Sequence, residues 1–234
     1  MKSILIALAL CLSSTSSLIA ELSLPHFFSD HMVLQRERPA AIWGKASPKT
    51  EIKVSFKGES ATAKADKDGH WKVEIETGKA DANGAELTIQ AGDEKRVIKD
   101  VLVGEVWFAS GQSNMYFPMD RVEAYKEMIS KTNLPGVRTF SAPLVTATEP
   151  QHDIEGEWTA ATPETIPGYS AVAFFFAKHL YEELGIPIGM IKSAWGGKPV
   201  ETFTSREALS THPGSKLLVD AVLKAEESYN QATE

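Results

Sequence analysis

The sequence is almost without cysteine: Cys11 is the only one, and it lies in an apolar N-terminal run. The rest of the chain can therefore build neither a disulfide framework nor a thiolate metal site. No pair of histidines stands at ligand spacing, so no metal site is expected. Blocks of positive charge are missing as well. Lys and Arg number 24 against 31 Asp and Glu, a net charge of -7 without the basic footprint of a nucleic-acid binder. Beyond the first residues no apolar run approaches the ~20 residues that a membrane span needs. Internal repeats are absent too, which argues against solenoid architectures.

Residues 1–20 combine Lys2, the apolar run Ile4 to Leu10, a Ser/Thr-rich patch and Ala20 at a plausible cleavage site. This pattern predicts a secretory signal peptide and a secreted or periplasmic product. Leu10 stands before Cys11 where a lipoprotein signal would carry a small residue, which disfavours a lipid anchor. About 214 residues remain, enough for one large domain or two modest ones.

The overall fold class expected is α/β. From residue 21 to 100 the texture is that of short strands, Ala40 to Lys45, Glu51 to Phe56, Ala61 to Ala65, His70 to Ile75, Glu86 to Ala91 and Lys95 to Val101. Turn residues such as Lys67-Asp68-Gly69 and Asn83-Gly84 separate them, and the spacing predicts an immunoglobulin-like β-sandwich with Trp43 and Trp71 in its core. From residue 101 to 234 the pattern alternates strand and helix: strands at Val106 to Ala109, Val137 to Phe140 and Ile186 to Ser193, helices over Asp120 to Thr132, Tyr169 to Leu184, Ser205 to Leu209 and Ser215 to Asn230. Such alternation predicts a parallel sheet wrapped by helices. In the Tyr169 to Leu184 helix, Val172, Phe175, Phe176, Leu180 and Leu184 recur at helical spacing and read as its core stripe. The proline-rich stretch from Ser141 to Pro167 shows no clear element.

Gly104-Glu-Val-Trp-Phe-Ala-Ser-Gly-Gln-Ser-Asn-Met115 is the segment that speaks most directly to chemistry. An apolar strand ends in a glycine-led turn that would present Ser113 at the carboxyl rim of the sheet, where ligands bind in folds of this class. A serine so placed can attack an ester carbonyl, given a base for its proton and donors for the developing oxyanion. Backbone N–H groups of Ser113 and of Gly196 or Gly197 are candidate donors, and Gln112 or Asn114 can add a side-chain amide. Spacing alone leaves open whether Ser113 is a nucleophile or an ordinary turn serine. The base is harder to find: no Asp-x-x-His occurs, and His152 and His212, which could in principle orient toward Ser113, read better as plain surface residues.

Three ordered blocks then carry a resemblance: Phe28-Ser-Asp-His-Met-Val-Leu-Gln35, the Gly104 to Met115 segment, and Gly189-Met-Ile-Lys-Ser-Ala-Trp-Gly-Gly197. Together they resemble the bacterial sialate O-acetylesterases, members of the SGNH hydrolase superfamily. The resemblance implies a three-layer α/β catalytic domain behind a β-sandwich, and removal of acetyl groups from O-acetylated carbohydrates through an acetyl-serine without cofactor. It also implies that Ser113 is the nucleophile, with a glycine of the Gly196-Gly197 pair facing the oxyanion. Lys198 stands where the family commonly has Thr, and Phe203 where it has Trp.

The family's later Gln-Gly-Glu-like block and its final Asp-x-x-His have no counterpart here, so a partial SGNH domain, truncated at its C-terminal side and weakly active or inactive, is the expectation. The alternative from a different class is a secreted glycan-binding or docking module without catalysis.

Overall fold

The computed structural model describes residues 21–147 and 150–233; the predicted leader and Cys11 fall outside them. In chain order the strands and helices are β1 (Val33–Gln35), β2 (Pro39–Lys45), β3 (Glu51–Phe56), β4 (Glu59–Lys64), β5 (His70–Glu76), β6 (Asp81–Ala91), β7 (Glu94–Gly111), α1 (Ser113–Tyr116), α2 (Tyr125–Ile129), β8 (Leu134–Ser141), β9 (Trp158–Ala161), α3 (Ala171–Leu184), β10 (Ile188–Ala194), α4 (Arg206–Thr211) and α5 (Lys216–Thr233).

Period-two alternation places Ile52, Val54 and Phe56 of β3 and Trp71, Val73 and Ile75 of β5 on inward faces, with Glu51, Lys53, Lys72 and Glu74 turned outward. Those inward faces meet as two layers, the run β4-β3-β6-β7 on one side and the β2-β5 pair on the other, with Ile42, Leu87, Ile89 and Ile98 filling the space between. Trp71 is 4% exposed in this core, whereas Trp43 is only partly buried.

Strand β7 joins the two halves of the molecule. Its first part is antiparallel to β6, while from Glu105 to Gly111 it runs parallel to β10, which in turn runs parallel to β8. One 18-residue strand thus passes through residues 100 and 101 without a linker. The result is a mixed eight-stranded sheet in the order β4-β3-β6-β7-β10-β8-β9, with β1 alongside β7.

The Phe28 to Gln35 block is the seam that holds β7 in place. Asp30 accepts from the Lys99 N–H at 2.7 Å, and Met32 O accepts from the Leu102 N–H at 3.0 Å. β1 then pairs with Leu102 to Gly104, and Gln35 Oε1 accepts from the Val106 N–H at 2.8 Å, beyond the end of the backbone ladder. Beneath the seam the Arg138 side chain is 5% exposed and bonds Asp100 Oδ2 at 2.9 Å, together with the carbonyls of His31, Asp100 and Pro135.

Helix α3 begins at Ser170, whose Oγ accepts from the Ala173 N–H, and ends at Gly185 with φ +65°. Its buried side differs from the expected stripe. Ala171, Ala173, Phe174 and Ala177 face the sheet, while Val172, Phe175, Phe176 and Leu184 are 40–50% exposed. Alanine lets the helix approach β10 and β8 closely, while Phe176 meets Trp107 of β7 edge to face at 5.1 Å. The expected helix over Asp120 to Thr132 is also broken, into a single 3-10 turn (Met119–Arg121) and α2. Buried Met119 donates its N–H to Tyr169 O at 2.9 Å, and Val122 adopts an extended conformation, so tertiary pairing overrides propensity.

Candidate active site

Strands β7, β10 and β8 all point their carboxyl ends to one rim, and residues 111–116 leave β7 there. Gly111 takes φ +147°, a conformation that side-chain-bearing residues rarely adopt, and this turns the chain out of the sheet. Gln112 follows at φ -97°, and the Tyr116 N–H to Gln112 O bond of 2.8 Å closes the single turn of α1 that carries Ser113. Ser113, Gln112 and Asn114 are all solvent-exposed.

The exit of β10 is tied to this turn twice. Trp195 donates its N–H to Gly111 O at 3.0 Å, and Gln112 Nε2 donates to Lys198 O. Between these ties Gly196 lies directly against the serine: a Cβ built on it would sit 3.7 Å from both Cα and Cβ of Ser113. Gly197, at φ +76°, is exposed with open space beside it. Of the four residues expected beside Ser113, Gly196 approaches it across the rim and Gln112 braces the turn to the β10 exit, whereas no atom lies within 4 Å of a Cβ built on Gly197. Asn114 stays in the α1 turn and Gly197 follows at its outer side.

Two cations flank the turn. Lys192 Nζ lies 4.8 Å from the Tyr116 ring centroid and Lys198 Nζ lies 4.7 Å from that of Trp195. Burial pushes the Lys192 ammonium below its ordinary value.

Among the described residues no hydrogen bond joins Ser113 Oγ to a histidine. His152 leans on His70 with ring centroids 4.9 Å apart, and His212 accepts from the Gly214 N–H at the end of α4. Two histidine–aspartate pairs do exist, His26–Asp153 and His31–Asp100, each 2.7 Å from Nδ1 to Oδ2. His31–Asp100 belongs to the Arg138 seam, and Asp153 of the other pair lines a cleft whose lining does not include the α1 turn. Burial works against the Asp153 anion, but the N–H groups of His26 and Ile154 and the His26 ring outweigh it and hold the carboxyl below its ordinary value. No cluster of three or more potential metal ligands occurs among the described residues.

Sialate O-acetylesterase of Rattus norvegicus is 32% identical over 203 residues, which cover 78% of this chain and 37% of that protein. Over the matched residues the chain is sialate O-acetylesterase-like. The Homo sapiens member is likewise 32% identical, with 78% of this chain and 39% of the relative covered. The crystal structure of a carbohydrate acetylesterase from Xanthomonas citri superposes with a TM-score of 0.78 at 37% identity, over 82% of this chain and 44% of that one. The chain thus spans less than half the length of these family members. No family model matches the sequence.

Proposed function

We propose that this chain carries the nucleophile and part of the oxyanion pocket of a carbohydrate O-acetyl esterase, with O-acetylated sialic acid as its substrate. The observation that carries the reading is the contact of Gly196 with Ser113 on an exposed carboxyl rim. Ser113 Oγ attacks the acetyl carbonyl as its proton passes to a base, and the carbonyl oxygen becomes an oxyanion. The backbone N–H groups of Ser113 and of Gly196 or Gly197 donate to that oxygen, with Gln112 and Asn114 lining the approach. Collapse expels the sugar hydroxyl, which takes up the proton and leaves an acetyl-serine. Water then attacks the acetyl-serine, releasing acetate and restoring the hydroxyl.

The supporting geometry is specific. Gly196 keeps a side chain away from Ser113, and Gln112 ties the two strand exits into one platform. Among the described residues, no side chain hydrogen-bonds Ser113 Oγ as its base. We read the fold as an SGNH-type α/β unit, residues 101–234, behind an immunoglobulin-like β-sandwich, residues 21–100, with a signal peptide over 1–20 and a secreted or periplasmic location.

Hydrolysis of an acetyl ester by the purified chain, compared with Ser113→Ala, tests the assignment. Loss of the nucleophile is expected to reduce the rate by roughly a thousandfold or more relative to the intact chain. An unchanged rate in Ser113→Ala would remove the serine from the mechanism.

A further inference from the structure

A second binding feature lies on the same rim. The chain leaving β8 at Ser141 forms, from Pro143 onward, one wall of a cleft of about 620 Å³. Its other wall is Pro25, Phe27 and Trp43, and His152, Asp153 and Glu155 line it with polar atoms. This volume is in the range of small-molecule sites, and the lining has their composition: an aromatic wall with a few fixed polar groups.

The walls are rigid for identifiable reasons. Trp43 is set edge to face against Phe28, with centroids 4.5 Å apart, and lies nearly parallel to Phe27 at 6.4 Å and 16°. It is held in place yet remains partly exposed, so a ligand meeting it need not order it first. Opposite, the Asp153 carboxylate is fixed by three bonds of 2.7 Å, from the His26 N–H, the His26 ring and the Ile154 N–H, and its side chain is still 44% exposed.

Charge decides the ligand class. Asp153 and Glu155 place two carboxylates in the cleft, which would repel an anionic sugar unit but accept hydroxyl protons from an uncharged one. The exits of β7 and β8 are separated by β10 alone, about 10 Å at ordinary strand spacing. An oligosaccharide can bridge that distance. We propose that this cleft is a glycan subsite that takes the uncharged hexose units adjoining the acetylated sugar, with Trp43 as the apolar wall and Asp153 and His152 as hydrogen-bonding partners. As a subsite for a substrate held at Ser113, it rests on the esterase reading, but its occupancy can be measured without catalysis.

The test titrates the Ser113→Ala chain with lactose, cellobiose and maltose by isothermal titration calorimetry, and follows the Trp43 indole N–H by NMR where Trp43 is retained. A saturable shift with at least one neutral disaccharide is expected, with binding weakened roughly tenfold or more, about 1.4 kcal/mol, in Trp43→Phe and in Asp153→Asn. In the intact sequence these two variants should raise KM for an acetylated oligosaccharide more than they lower kcat. Failure of all three sugars to shift Trp43, or equal binding by both variants at an unchanged melting temperature, would overturn the subsite. Neither result bears on Ser113, whose own assay stands separately.

Discussion

One glycine leads the turn that carries the proposed nucleophile and another faces it, and the two should fail in different ways when substituted. Gly111 sits at φ +147°, so Gly111→Ala introduces backbone strain of about 1–3 kcal/mol. A lowered melting temperature together with lost activity is expected. At Gly196 an added methyl would meet Ser113 at 3.7 Å, an ordinary contact distance. Gly196→Ala should therefore fold with a nearly unchanged melting temperature while losing esterase activity, because the methyl occupies the space in which the acyl oxygen must meet backbone donors. Thermal denaturation alongside acetyl-ester hydrolysis separates the two outcomes. The turn itself was legible in the sequence as a strand running into Gly111, although that spacing alone did not separate a nucleophile from an ordinary turn serine. The His26–Asp153 and His31–Asp100 pairs were not legible, because 127 and 69 residues separate their partners and no local spacing announces them.

At the scale of elements, the β1–β7 seam and the Arg138 clamp decide how the first half of the chain is coupled to the rim. Arg138 is the buried partner of a pair whose other member, Asp100, is 40% exposed, and its guanidinium also satisfies three backbone carbonyls. Arg138→Met should cost about 2–4 kcal/mol, less than a fully buried pair because Asp100 keeps access to water. Chemical denaturation would measure it.

Glu105 adds a pH dependence to the same seam. The Arg36 hydrogen bond at 2.7 Å leads the effects that hold its carboxyl below the ordinary 4.5. A depressed folded value means stability that is present above 4.5 and lost as pH falls through the folded value. Glu105→Gln should lower the melting temperature at neutral pH and shrink its decline in acid. Most strands were readable from alternation, including β3 at its observed limits. β1 and β9 were missed because each is only three or four residues long and exists through its partner strand. The buried face of α3 was misjudged because small alanines beside Phe174, rather than Val172, Phe175 and Phe176, mark the side that meets the sheet.

For the whole molecule, the notable surface is apolar. Phe108 on β7 is 66% exposed, Trp107 44%, and Leu217 on α5 82%. Beyond Val106, the side of β7 away from β10 pairs with no strand among the described residues, and an uncovered apolar edge favours association between molecules. Phe108→Lys should reduce concentration-dependent association in sedimentation velocity without altering the circular dichroism spectrum; unchanged association would show that another surface drives it.

The same carboxyl rim gathers the serine turn, the glycines leaving β10 and the loop leaving β8, and catalysis by Ser113 is the claim on which the functional account stands. Rapid quenching of the chain during turnover of an O-acetylated sugar, followed by peptide mass analysis, tests it most directly. The account predicts one acetyl group on the peptide containing Ser113, absent in Ser113→Ala. Turnover with the acetyl group on another residue, or undiminished turnover in Ser113→Ala, would contradict it.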